Sequence, residues 1–185
     1  MTKIDTSGWK EFVIEDLFEK LQLDIKNESF NKTFDVSEER TPEFSLPLAN
    51  AKHGNNGIMY YGREADFDTA EMTIDIVQNG AIATGDVYAQ PQKTGVLWDA
   101  YLVKPKAEIN SSSTLLFLAT VLERQSKIGS AMTINAIWDK AKLLSVTLPC
   151  TDKGEPDWAY MDAYMSEVMH DCEKNLAELK CILSQ

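Results

Sequence analysis

From Asp157 to Gln185 the chain runs 29 positions without a glycine or a proline. No other stretch constrains the fold as much. Within it Trp158, Met161, Met165, Val168, Cys172, Asn175, Leu179 and Ile182 fall at alternating spacings of three and four. That spacing lines one face of an α-helix as an a/d seam of about three and a half heptads. Pro149 and Gly154 punctuate a loop ahead of it. Pro156 suits a first helical turn, and Asp157 can cap the free N–H groups there or complement the helix dipole. Asn175 is the one polar member of the seam, and such residues often fix register or partner number. An isolated helix of this length is marginal in water, so something must cover the apolar face. Two covers are open. One is another helix, paired along residues 158–183. The other is the chain's own domain, because Leu176 also completes a stripe of period 3.6.

The 185 residues suffice for one domain with a core and an appendage, and 44% of them are hydrophobic, as in ordinary globular proteins. No apolar run approaches the roughly 20 residues that span a bilayer, and residues 1–10 are too polar for a signal peptide. Cys150, Cys172 and Cys181 are an odd count without metal-site spacing, so free thiols in a reducing cytoplasm are expected. The net charge is −11 and unevenly spread: residues 1–48 and 151–185 carry −5 each, while residues 49–130 carry only −2. Arg40, Arg63 and Arg124 are the only arginines. A free-standing nucleic-acid binder usually shows a basic footprint, so any such role must rest on local loops and a basic partner.

Taken in order, Trp9 to Ile14 alternates as a short strand, and Glu15 to Leu23 reads as one or two helical turns. Residues 24–43 read as an irregular, charged excursion. Phe44 to Leu48 looks like an edge strand, because Pro47 cannot donate to a ladder. Asn56-Gly57 marks a hairpin turn in a loop crowded by Lys52, His53, Asn55 and Asn56, either an ordinary solvated turn or a recognition loop. Met72 to Val77 is a strand closed by Asn79-Gly80, with Ala81 to Thr84 as a second, short one. Gly85 to Gly95 reads as a second polar loop, carrying Tyr88, Gln90, Gln92 and Lys93. Val96 to Val103 is expected to be the longest strand. Ser111-Ser112-Ser113 offers caps for a helix through Thr114 to Ile128, with Leu115, Leu118, Ala119 and Leu122 inward and Gly129 at its end. Ile134 to Leu144 suggests a short helix with Trp138 inward, and Ser145 to Leu148 a last strand. The expectation is an α+β, strand-rich body over residues 1–150 and a C-terminal helical segment over 151–185.

Motifs for chemistry are missing. His53 and His170 stand alone, without a ligand set. There is no phosphate-cradling glycine loop, no dinucleotide fingerprint and no nucleophile elbow. Pro156-Asp157 with Glu178-Leu179-Lys180 has the form of a metal nuclease motif. On one helix, however, those carboxylates would lie roughly 30 Å apart, and ligands sharing a cation must each come within about 2.5 Å of it. No metal, no cofactor and no catalytic residue are therefore expected.

Four strings, in this order, resemble the DNA-specificity subunit of type I restriction–modification systems and the related specificity proteins of some type II systems. They are Trp9 to Phe18; Asn55-Asn56-Gly57-Ile58 with Tyr60-Tyr61; Val96 to Pro105 leading into the Leu115–Leu122 helix; and Leu148-Pro149 through Gly154-Glu155-Pro156-Asp157-Trp158 into the long helix. The resemblance implies a target-recognition domain that presents loops to the DNA major groove. It also implies a spacer helix that packs on a partner helix. Such subunits do no chemistry; they bring methyltransferase subunits, and in some systems a nuclease subunit, to a chosen sequence. A full subunit has two recognition domains and two spacer helices, whereas this chain shows one of each and is more acidic than expected.

Base edges are read by donors and acceptors on elements that enter the groove. The two less acidic loops supply Lys52, His53, Asn55, Asn56, Arg63, Gln90, Gln92 and Lys93 as candidates, with Tyr60 and Tyr88 for phosphate or sugar. The expected partners are double-stranded DNA, a methyltransferase subunit and a second copy of the chain, antiparallel through residues 158–183. The alternative is a protein-interaction module or decoy that binds methyltransferase subunits without reading DNA.

Overall fold

Thr73-Ile74-Asp75-Ile76-Val77 is buried at all five positions, as a strand covered on both faces must be. It is β6 of the computed structural model, which describes residues 4–127 and 136–183. The other strands are β1 (Lys10–Val13), β2 (Phe18–Lys20), β3 (Val36–Ser37), β4 (Leu46–Ala49), β5 (Ile58–Gly62), β7 (Val87–Gln90), β8 (Gly95–Val96), β9 (Ala100–Pro105) and β10 (Ser145–Leu148). The helices are α1 (Ile14–Leu17), α2 (Ser112–Ser126), α3 (Trp138–Ala141) and α4 (Trp158–Leu183).

The main sheet is antiparallel, in the order β2-β9-β6-β7. Ile74 and Ile76 point to one of its faces, where α2 lays Leu115, Leu118, Ala119 and Leu122. Ser111 caps α2 with a side-chain oxygen that accepts from the Ser113 and Thr114 amides. Asp75 and Val77 point to the opposite face. A second sheet, β3-β5-β4-β8, has its own small core of Leu46, Leu48, Phe67 and Leu97. β1 and β10 form a separate two-stranded ribbon. The architecture is α+β, as expected.

Five local expectations are corrected. The helix after Ile14 stops at Leu17, because Phe18, 1% exposed, continues into β2 and pairs with β9; one helical turn cannot sustain itself against that pairing. β4 lies inside its sheet, yet β8 meets it only at Leu48 and Ala49, so Pro47 stands beyond the end of β8. Ala81 to Thr84 is a turn, held by the Thr84 hydroxyl on the Gly80 carbonyl, with Ile82 in solvent. Val87 to Gln90 is a strand and not loop; its polar Tyr88 and Gln90 meet the Asn55–Gly57 turn. Val96 to Val103 is broken at Leu97–Asp99, where the chain leaves one sheet and enters the other. Gly129 and Ile134 fall outside the described residues, and Trp138 of α3 packs edge-on to Tyr101.

The long helix begins where Asp157 accepts from the Tyr160 amide, and it runs unbroken for 26 residues, about 39 Å. Asp157 and Glu178 therefore stand toward opposite ends of one rod. Its first half docks on the body. Met161 is fully buried, Trp158, Tyr164 and Met165 pack against the main core, and Tyr164 meets Phe117 edge-on. Asp162 accepts from Ser111, and Ser166 donates to Ser113 at 3.0 Å, which ties α4 to the start of α2. Val168 is half-buried, and from Met169 onward every described residue is exposed. Of the two covers open to the seam, the chain's own domain thus takes the first half only. The chain's own domain covers Trp158, Met161 and Met165, while Cys172, Asn175, Leu179 and Ile182 lie uncovered.

Candidate nucleic-acid interface

The hairpin of β4 and β5 carries its connecting loop, residues 50–57, onto the β7 edge of the main sheet. Asn55, Asn56 and Gly57 all take positive φ, at 47°, 52° and 74°. Asparagine and glycine tolerate that region best. At Gly57 a Cβ would run into the Asp75 carboxylate and lie 2.7 Å from the Tyr88 ring. The glycine thus lets the loop lie flat on the second face of β6.

Two side-chain amides lock the loop in place. Gln90 donates to the Asn56 carbonyl at 2.7 Å, and Asn56 donates to the Ala89 carbonyl at 3.1 Å. Gln90 has no exposed surface, so it positions the loop and presents nothing to a ligand. Gln92, in turn, donates to Gln90 at 2.7 Å but is itself exposed. Asn55 donates to the Ile58 carbonyl at 2.8 Å. Tyr88 accepts from the Gly54 amide at 2.8 Å and donates to Asp86 at 3.0 Å.

Asp86 is nearly buried and gathers the loop from a third side. His53 Nδ1 lies 2.7 Å from it and Lys127 Nζ 2.6 Å. Burial pushes the Asp86 carboxyl up, but hydrogen bonds from Lys127, His53 and Tyr88 outweigh it and hold the group below the ordinary carboxylate range. Lys127 also pairs with Glu123 at 2.7 Å.

Several candidate cations are already engaged. Arg63 pairs with Asp35 at 2.9 Å, Glu43 at 2.7 Å and Asp66 at 3.4 Å, and lies over the Phe44 ring. Its hydrogen bonds to Glu43 and Asp35 raise its pKa further. Lys93 pairs with Glu64 at 2.6 Å, which raises its pKa. Lys32 sits over the Tyr60 ring, 4.6 Å from its centre. Lys52, half-buried, has no side-chain partner among the described residues.

Between this loop and the turn after β7 lies an open cleft of about 580 Å³. Arg40, Ser45, Tyr61, Asn55, Asn56, Glu64, Gln92 and Lys93 line it with hydrogen-bonding groups. Of the sequence candidates, Asn55, Asn56, Gln92 and Lys93 come together here. His53 and Tyr88 stand on the Asp86 side of the same loop, and Arg63 sits in its own ion-pair cage. Arg40 was missed. It lies in the charged excursion after β3, and its guanidinium has no partner among the described residues. Its neighbours Glu38, Glu39 and Glu43 masked it in the sequence, and only the pairing of β3 with β5 brings it to the cleft.

The chain thus combines an α+β body, a polar cleft between two loops and a long helix whose second half is exposed. The chain superposes on the type I S subunit of M. genitalium with a TM-score of 0.54 at 15% identity, covering 95% of this chain and 44% of that one. It superposes on HsdS of Thermoanaerobacter tengcongensis at 0.52 and 13% identity, covering 98% and 41%. A chain from a study of complex assembly and conformational transition in a type I R-M system gives 0.56 at 16% identity, covering 99% and 44%. The model of the type I restriction modification DNA specificity domain matches residues 6–179, and the chain belongs to that family. It is also 26% identical over 170 residues to the type II restriction enzyme BgcI specificity subunit S.BcgI of Heyndrickxia coagulans. That match covers 90% of this chain and 46% of that protein, so the chain spans about half the length of the curated relative.

Proposed function

We propose that this chain reads a DNA sequence for a restriction–modification complex and directs methyltransferase subunits, with or without a nuclease subunit, to that site. The observation that carries the reading is the polar cleft on the loop side of a family domain matched over residues 6–179. Arg40, Lys52, Asn55 and Gln92 present the donors and acceptors that a base edge or a phosphate requires. Arg63 and Gln90 act behind them as supports. The free half of α4 serves as the spacer, and a second copy of the chain covers its seam. On this reading the chain recognises DNA and leaves the chemistry to its partner subunits.

One observation favours the decoy reading. Two of the three cations first assigned to the loops, Arg63 and Lys93, are neutralised by carboxylates. The test is affinity for a randomised duplex pool at low and high salt, with and without a methyltransferase subunit. The chain alone binds weakly and salt-sensitively, because a net charge of −11 repels phosphate. Adding the methyltransferase subunit tightens binding and brings sequence preference. Changing Arg40, Lys52 and Gln92 together to alanine weakens the complex about tenfold or more while leaving the melting temperature in place. Binding of the methyltransferase subunit without any DNA preference would instead establish the decoy.

A further inference from the structure

The His53 ring belongs to the recognition loop, but its orientation is set from outside the loop. Its side chain is 66% exposed, and Asp86, to which it is tied, is 2% exposed. Asp86 Oδ2 takes the His53 Nδ1 contact at 2.7 Å and the Tyr88 hydroxyl at 3.0 Å, while Oδ1 takes Lys127 at 2.6 Å. A carboxylate that takes both the Lys127 ammonium and the Tyr88 hydroxyl is ionised and can only accept. Nδ1 must therefore carry a proton, and in the neutral ring Nε2 is left with its lone pair. Nε2 has no partner among the described residues. In the neutral form, the imidazole held by loop and body thus turns an acceptor nitrogen outward.

We infer that His53, positioned by Asp86 and Lys127, presents this acceptor to the exocyclic amino group of adenine or cytosine in the major groove. This rests on the DNA-reading function proposed above. In the major groove only those two bases offer a hydrogen-bond donor, while guanine and thymine show acceptors at the corresponding edge. A neutral His53 with Nδ1 protonated therefore discriminates against guanine and thymine by leaving two acceptors face to face. Asp86 and Lys127 touch no base. They fix the tautomer and the direction of the ring, as a carboxylate behind a histidine does in other sites.

The experiment is enrichment of sites from a randomised duplex library by the whole chain together with a methyltransferase subunit at low ionic strength, for the parent, His53→Lys, His53→Phe and Asp86→Asn. Lysine has three donors and no acceptor. His53→Lys should move one position of the selected site from adenine or cytosine towards guanine, by about tenfold or more, without changing the melting temperature. His53→Phe should erase the preference at that position. Asp86→Asn frees the tautomer and should relax the same position only, a result that a purely structural role does not give. Should Asp86→Asn fail to fold, the two exposed His53 variants decide alone. A parent that enriches no sequence overturns the DNA reading and this inference together. A parent with a defined site that both His53 variants select unchanged overturns this inference alone.

Discussion

Asp75 stands in the middle of β6 with no exposed surface, and neither of its oxygens has a hydrogen-bond partner among the described residues. Burial pushes its pKa far up, and the nearby Asp86 charge adds to the effect. The two aspartates therefore answer pH with opposite signs. An unfolded chain ionises aspartate near pH 3.9, roughly. Above that point folded Asp75 keeps its proton while the unfolded chain has lost it, so stability falls as pH rises towards the folded value. Asp86 is held low, so its contribution is present above the unfolded value and lost as pH falls through the folded one. Asp75→Asn removes the first slope and leaves the second. The urea midpoint of the variant should decline less than that of the parent between pH 5 and 8, a window lying above the usual aspartate range. Parallel curves would show that Asp75 does not carry a buried proton.

At the scale of elements, α4 is one helix with two environments. Met161, fully buried between α4 and the core, should cost about 2–5 kcal/mol when changed to alanine. Leu179, 57% exposed, should cost under about 0.5 kcal/mol in the dilute monomer. Equal losses at the two positions, read from urea unfolding, would mean that the whole helix lies on the body. The helix itself was legible because apolar spacings of alternating three and four, unbroken by glycine or proline, fit no strand. So was α2, from its serine cap and its inward leucines. The strand β7 was not. Tyr88 and Gln90 are polar, and their burial depends on Gly54 and Asn56, more than thirty residues earlier in the chain. The break at Leu97–Asp99 was hidden for a similar reason. It is held by Ala49 and Asn50, whose carbonyl and side-chain oxygens accept from the Leu97 and Asp99 amides. Asn-Gly and lysine content marked the loops of the candidate site in the sequence. Which of their cations are spent on Asp35, Glu43 and Glu64 only the fold could show.

For the whole molecule the open question is what meets the free half of α4. Leu176, Leu179, Ile182 and Leu183 are 52%, 57%, 68% and 87% exposed, an apolar surface that a lone chain leaves in water. We propose a second copy of the chain as the cover, because a twofold contact is the commonest closed arrangement. The docked half of the helix narrows where two such copies would meet. Met161 and Met165 already face the chain's own core, and Val168 sits at the border, so in such a pair Cys172, Asn175, Leu179 and Ile182 would form the shared seam. An antiparallel pair over this stretch sets the two bodies at opposite ends and suits an inverted repeat with a fixed spacer. Leu179→Asp would place an unpaired charge in that seam and should separate the copies, whereas the same change at Val168 also disturbs the body. Sedimentation equilibrium from low to high micromolar concentration should show the parent as a dimer and Leu179→Asp as a folded monomer. A parent that remains monomeric across that range would exclude self-pairing and leave the seam to a helix of a different subunit.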